Sequence, residues 1–111
     1  MPISVFAAKT RAFVHYPAAG PSGSAHIARL IGPHNSASLS GGVVVYERLT
    51  VDWDLPFDEM ITVIDGAMTI RSEGETFALA PGDVAWFPAH TPLSYDVPDR
   101  VTVSYAIWPQ P

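Results

Sequence analysis

Read for its apolar and polar positions, the chain shows the two-residue period of β-strands and almost none of the longer period of a helix. The clearest run is Val43-Val44-Val45-Tyr46-Glu47-Arg48-Leu49, rich in β-branched and aromatic residues and of ordinary strand length. From Arg100 to Trp108, Val101, Val103, Tyr105 and Ile107 share one face and Thr102, Ser104, Ala106 and Trp108 the other, which predicts a half-buried strand. Met60 to Asp65 predicts another strand, closed by Asp65-Gly66. That dipeptide suits a two-residue hairpin turn, with Ala67 to Arg71 returning as the partner strand. Ser72-Glu73-Gly74-Glu75 turns the chain again, Thr76 to Leu79 makes a short strand, Pro81-Gly82-Asp83 a corner, and Val84 to Phe87 one more strand.

The first third of the chain is less patterned. Ile3-Ser4-Val5-Phe6 and Arg11-Ala12-Phe13-Val14 are candidates for one or two edge strands. The Pro-, Gly- and Ser-rich stretch from His15 to Ser38 favours turns and open chain, broken only by Ala25 to Ile31, which is too short to settle its period and which we read as a strand. Short strands with turn signals about every eight to twelve residues argue for an all-β sandwich or barrel. We expect one domain over residues 1–111, with an N-terminal arm and edge strands over 1–35 and the barrel core over 36–111.

Composition narrows the function classes. No apolar run approaches the roughly eighteen residues needed to cross a bilayer, and the amino terminus has no basic stretch leading into a continuous apolar one. We expect a soluble, cytoplasmic protein without a membrane partner. The absence of cysteine rules out disulfides, thiolate ligands and a cysteine nucleophile. The net charge is −5, and the six basic residues stand singly, so no basic stripe exists for a nucleic acid. A small anion held by one arginine remains compatible with that balance.

The landmarks from Trp53 to Leu93 resemble the cupin motifs. In metal-binding cupins the first motif is His-x-His, three or four residues, Glu, six residues, Gly; here Glu59 and Gly66 stand at that spacing, while Trp53 and Leu55 occupy the histidine positions. The second motif is met at Gly82 and Pro88, but His90 replaces its glycine and Leu93 its histidine. Within cupins the chain is most similar to the small EutQ-like group of ethanolamine-utilisation proteins, through LPFDE at 55–59, VIDG at 63–66, APGDVAWFP at 80–88 and SYAIWP at 104–109. The resemblance implies a double-stranded β-helix, or jelly-roll barrel, poor in metal ligands. It also brings in the acetate kinase activity attached to EutQ, although the chain has no Gly-rich loop with Lys-Ser/Thr to cradle phosphates.

The resemblance points Glu59 into the barrel, where apolar neighbours would raise its pKa and make it a usable acid or base; a buried Glu bonded to a neighbouring hydroxyl or amide is the alternative. Tyr105, inward with Val101 and Val103, is a candidate partner for Glu59, or a packing residue. Glu47 could supply a second carboxyl across the barrel, or sit solvated at an edge. Asp58 faces away from Glu59 on the same strand and is a candidate substrate contact or a cap of the Pro56 turn. Trp53, Leu55 and Leu93 give apolar surface that would line a substrate cavity or plug the barrel. No cofactor is expected; a divalent metal held by Glu59 with His15, His26, His34 or His90 is the minority alternative.

Two function classes follow. One is a metal-independent enzyme of small-molecule catabolism, for which the resemblance implies ethanolamine or related amines, moving a proton with Glu59 helped by Tyr105 or Glu47. The other is a non-catalytic metabolite-binding or assembly module; acetate kinase-like phosphoryl transfer is a third, borrowed from the resemblance. A small molecule is the expected ligand, and apolar residues on both faces of several strands lead us to expect a homodimer.

Overall fold

A computed structural model describes residues 2–17 and 22–111. After a 3-10 turn at Ala8–Thr10 the chain forms β1 (Val14–His15), β2 (Ser24–Ile31), β3 (Ser40–Trp53), β4 (Asp58–Gly66), β5 (Met68–Ser72), β6 (Glu75–Leu79), β7 (Val84–Phe87) and β8 (Leu93–Trp108). All pairings are antiparallel, in the order β1-β2-β3-β8-β4-β7, with β5 joined to β8 and β6 to β5. The strands expected in the second half are present, and Ala25 to Ile31 is a strand. Ile3 to Phe6 is not: Ile3 and Val5 are almost wholly exposed, and the chain instead closes a turn in which Thr10 bonds the Ala7 carbonyl through both its amide and its hydroxyl. Part of the expected open chain, 18–21, lies outside the described residues.

β3 and β8 organise the rest. They pair along their whole lengths, and the ladder is interrupted only at Arg48, which adopts a left-handed φ of +48° opposite Pro98 and Asp99. On one side of that break β8 pairs with β4, through Val101 to Trp108; on the other it pairs with β5, through Ser94 to Asp96. The bulge also resets which residues face inward. Val44 and Tyr46 belong to the core before it, and Leu49 does so after it, so two inward residues are three positions apart. Glu47 falls on the outer face beside the bulge, next to Arg48.

The hairpin expected at Asp65-Gly66 is not formed. Both residues continue β4 along β8, pairing with Thr102 and Val101, while β5 takes β6 as its neighbour. Gly66 is needed for a different reason: its φ is +80°, and a Cβ there would lie 2.1 Å from the Arg100 carbonyl oxygen. The next turn is formed where it was read, with Glu73 and Gly74 both left-handed between β5 and β6. At the Pro81-Gly82-Asp83 corner the Asp83 carboxylate accepts the Ala80 amide, and the Gly82 amide donates to Val63.

Inward residues of all the longer strands meet in one cluster, including Ala25, Ile27, Leu49, Ile61, Val63, Ile70, Val97, Val101 and Val103. β2, assigned above to the arm, supplies two of them. At one end the packing opens beneath the loop between β2 and β3 and the C-terminal tail. These are tied together by Gln110, whose amide side chain donates to the Ser36 and Leu39 carbonyls and whose backbone amide donates to Ser38.

Candidate active site

Glu59 sits near the start of β4, paired to Phe87 of β7 on one side and Ile107 of β8 on the other, so its backbone is held from both flanks. Strand alternation turns Asp58 and Met60 outward and Glu59 inward, where it is 9% exposed and the one charged side chain among the buried residues described. It faces a cavity of about 310 Å³. The walls are rich in rings: Tyr16, Tyr46, Trp53, Phe57, Tyr95 and Tyr105 all line it. Trp53 stacks on Tyr16 with centroids 6.5 Å apart, meets Tyr95 edge-on at 6.2 Å, and Tyr95 meets Tyr46 edge-on at 5.6 Å. Arg29 and His34 also line the cavity. The Arg29 guanidinium lies 5.8 Å from the Tyr16 ring centroid.

Burial alone pushes the Glu59 carboxyl up from 4.5 to about 7. No hydrogen bond or ion pair reaches its side chain among the described residues, so nothing offsets the loss of water around the charged form. Burial and the Glu59 charge raise Tyr16, Tyr46 and Tyr95, and burial raises Tyr105, so all four phenols remain neutral near pH 7. At neutral pH the cavity therefore holds one carboxyl poised between its two protonation states, surrounded by neutral hydroxyls and ring surface.

Of the residues singled out in the sequence, Glu59, Tyr105, Trp53 and Leu55 line this cavity together. Tyr105 and Glu59 share it without a hydrogen bond between them among the described residues. The other three lie elsewhere. Glu47 is on the outer face, 3.9 Å from Arg48, because Tyr46 takes the inward position. Asp58 accepts the Ala89 amide at 2.9 Å and so pins the segment before β8. Leu93 is buried in the core cluster and does not line the cavity. Tyr16, Arg29, Tyr46 and Tyr95 were not foreseen. Tyr46 carried a readable signal, since it alternates with Val44, whereas Tyr16 and Arg29 reach the site only through the pairing of β1 and β2.

The whole chain, residues 1–111, matches the family described as ethanolamine utilisation protein EutQ. The chain belongs to the EutQ family. A curated relative, acetate kinase EutQ of Salmonella typhimurium LT2, is 29% identical over 80 residues, which are 72% of this chain and 35% of that protein. The chain thus spans about a third of that relative's length. The solved structure of an ethanolamine utilization protein Q from the same organism superposes with a TM-score of 0.90 at 25% identity, covering 98% of this chain and 88% of that one. A cupin superfamily protein of Desulfitobacterium hafniense, 16% identical with a TM-score of 0.69 over 86% of this chain and 90% of its own, shares the fold.

This EutQ-family chain therefore has the cupin fold, and its motif positions can be tested as a metal site. They do not fit one. Of the four positions, Glu59 alone carries a ligating side chain; Trp53 and Leu55 present ring and alkyl surface and Leu93 is core. The histidines do not repair the set. His15 and His26 pair with each other across β1 and β2 with rings 5.8 Å apart, and His90 lies 3.8 Å from Asp54 at the surface. Only His34 shares the cavity with Glu59, and no cluster of three or more His, Asp or Glu occurs among the described residues.

Proposed function

We propose that this EutQ-family cupin handles a small metabolite of amine catabolism in the barrel cavity, with Glu59 moving a proton on the bound molecule. The observation that carries the reading is a buried, unpartnered carboxyl facing about 310 Å³ of aromatic-walled space, with its pKa at about 7. A group that titrates at the working pH both accepts and returns a proton with little penalty, which is what general acid–base catalysis requires. Tyr105 and Tyr46, which line the cavity and are neutral at that pH, would donate a hydrogen bond to a substrate oxygen as charge develops there.

The test is turnover of a panel of amines, aldehydes and acyl phosphates by the purified chain and by Glu59→Gln. Loss of about a hundredfold or more in kcat, with folding intact, is the expected result. Turnover unchanged in Glu59→Gln removes the carboxyl from the chemistry and leaves the cavity as a binding site.

A second reading comes from the relatives' name, acetate kinase. Phosphoryl transfer would have to rely on Arg29, the only arginine or lysine lining the cavity among the described residues. ATP- and magnesium-dependent formation of acetyl phosphate, lost in Arg29→Ala, would establish it; its absence from highly purified protein would remove it.

A further inference from the structure

Resting on the reading of this cavity as the working site, we infer that its ligand is a small organic ammonium ion, held between the Glu59 carboxylate and the surrounding rings. Three features of the cavity lead there. First, among the described residues the one buried charge is negative, and no ion pair or hydrogen bond reaches it. A buried carboxylate without a counter-charge is costly, and a bound cation supplies what the fold leaves out. Second, the walls are ring surface. Tyrosine and tryptophan rings carry negative faces that attract ammonium groups, and they attract desolvated ones most strongly. Third, the same wall already takes a cation, since the Arg29 guanidinium lies over Tyr16.

The alternative ligand of this size is a small anion on Arg29. Burial decides between them. Arg29 is exposed at the rim and already occupied by a ring, whereas Glu59 is buried, and an anion drawn inward would meet both its charge and the ring faces. The volume, close to that of about ten waters, accommodates an amine with a short carbon chain. This differs from what the relatives' name would suggest, because acetate is an anion.

The pH dependence of binding follows. The side chains lining the cavity that can titrate or carry charge are Tyr16 ahead of β2, Arg29 on β2, His34 in the following loop, Tyr46 on β3, Tyr95 and Tyr105 on β8, and Glu59 itself. The four phenols stay neutral across the neutral range and the guanidinium keeps its charge. Cation affinity should then rise as Glu59 ionises, by about tenfold from pH 6 to pH 8. His34 is separated by its own variant.

The experiment is a titration of the intact chain, followed by NMR, with tetramethylammonium and ethylammonium, their uncharged counterparts tert-butanol and 1-propanol, and acetate. The expected result is that each cation binds at least about tenfold tighter than its uncharged counterpart. The pH dependence should vanish in Glu59→Gln and persist in His34→Gln, and Trp53→Leu should weaken the cations more than the alcohols. Acetate binding as tightly as the ammonium ions, or cation affinity flat from pH 6 to pH 8, would overturn the inference. Because no turnover is measured, its failure is distinct from failure of the proton-transfer reading: Glu59→Gln can abolish turnover of an uncharged substrate in a cavity that rejects cations.

Discussion

Gly42 and Tyr105 are opposite one another in the β3–β8 ladder, and a Cβ at Gly42 would stand 3.1 Å from both the Tyr105 hydroxyl and its ring edge. The same Cβ would meet the Ala28 carbonyl oxygen of β2 at 2.2 Å. Glycine here lets three strands close around the cavity while Tyr105 keeps its place in the wall. Gly42→Ala must push backbone against backbone. A loss of about 1–3 kcal/mol is expected, read as a lower urea midpoint at unchanged slope. An unchanged midpoint would mean that β2 and β3 yield without cost and that Tyr105 is not held by this contact.

Glu59 makes stability depend on pH with a definite sign. Its carboxyl titrates at about 7 in the folded protein against an ordinary 4.5, so between those values the folded chain binds more protons than the unfolded one. Stability from this group is then full below the lower value and falls as pH rises through the upper one, by about 3 kcal/mol at most. Glu59→Gln removes the titration. The variant and the parent should be nearly equal in stability at about pH 4.5, and the variant the more stable at about pH 8. Parallel stability curves across that range would show that the carboxyl is better solvated than its burial implies. A site residue that costs stability at working pH is an expected compromise between folding and function.

Asp58 and Glu47 test how sharply the site ends. Asp58 holds the Ala89 amide, so Asp58→Ala should cost about 1 kcal/mol while leaving ligand affinity and turnover per folded molecule unchanged. Glu47, half-buried beside Arg48 on the outer face, should tolerate Glu47→Gln within about 0.5 kcal/mol and with full activity. Loss of turnover in Glu47→Gln would return it to the mechanism, by a route that does not run through this cavity.

What could be read in the sequence divides along physical lines. Strand positions were legible wherever alternation ran unbroken, as at Val101 to Ile107, and so were the cavity places of Glu59, Trp53, Leu55 and Tyr105. The bulge at Arg48 was not legible, because a left-handed arginine leaves no mark in an apolar pattern, and it shifts the inward face between Tyr46 and Leu49. Counted back by twos from Leu49, Glu47 shares the inward face; the bulge gives that place to Tyr46 instead. Gly66 was read from local turn chemistry, while the constraint on it comes from Arg100, thirty-four positions away by number. Tyr16 and Arg29 were hidden for the same reason: their approach to Glu59 is a property of the paired sheet, and no local window contains it.

Gln110 offers a test of the cavity mouth. Its side-chain amide donates to both the Ser36 and the Leu39 carbonyl at 3.0 Å, closing the C-terminal tail over the loop that carries His34. The backbone bond from Gln110 to Ser38 would survive truncation of the side chain, so Gln110→Ala should loosen the mouth without detaching the tail. The two lost bonds are near solvent, and about 1 kcal/mol of global stability is the expected cost. The larger change should be local: faster amide exchange at Leu39, and faster dissociation of a bound ammonium probe with little change in its association rate. Gln110→Glu is the informative companion. A carboxylate cannot donate to those carbonyls and would face them as an acceptor, so it should open the mouth at least as far as alanine does. Dissociation unchanged in both variants would mean that ligand exchange does not pass beneath this tail.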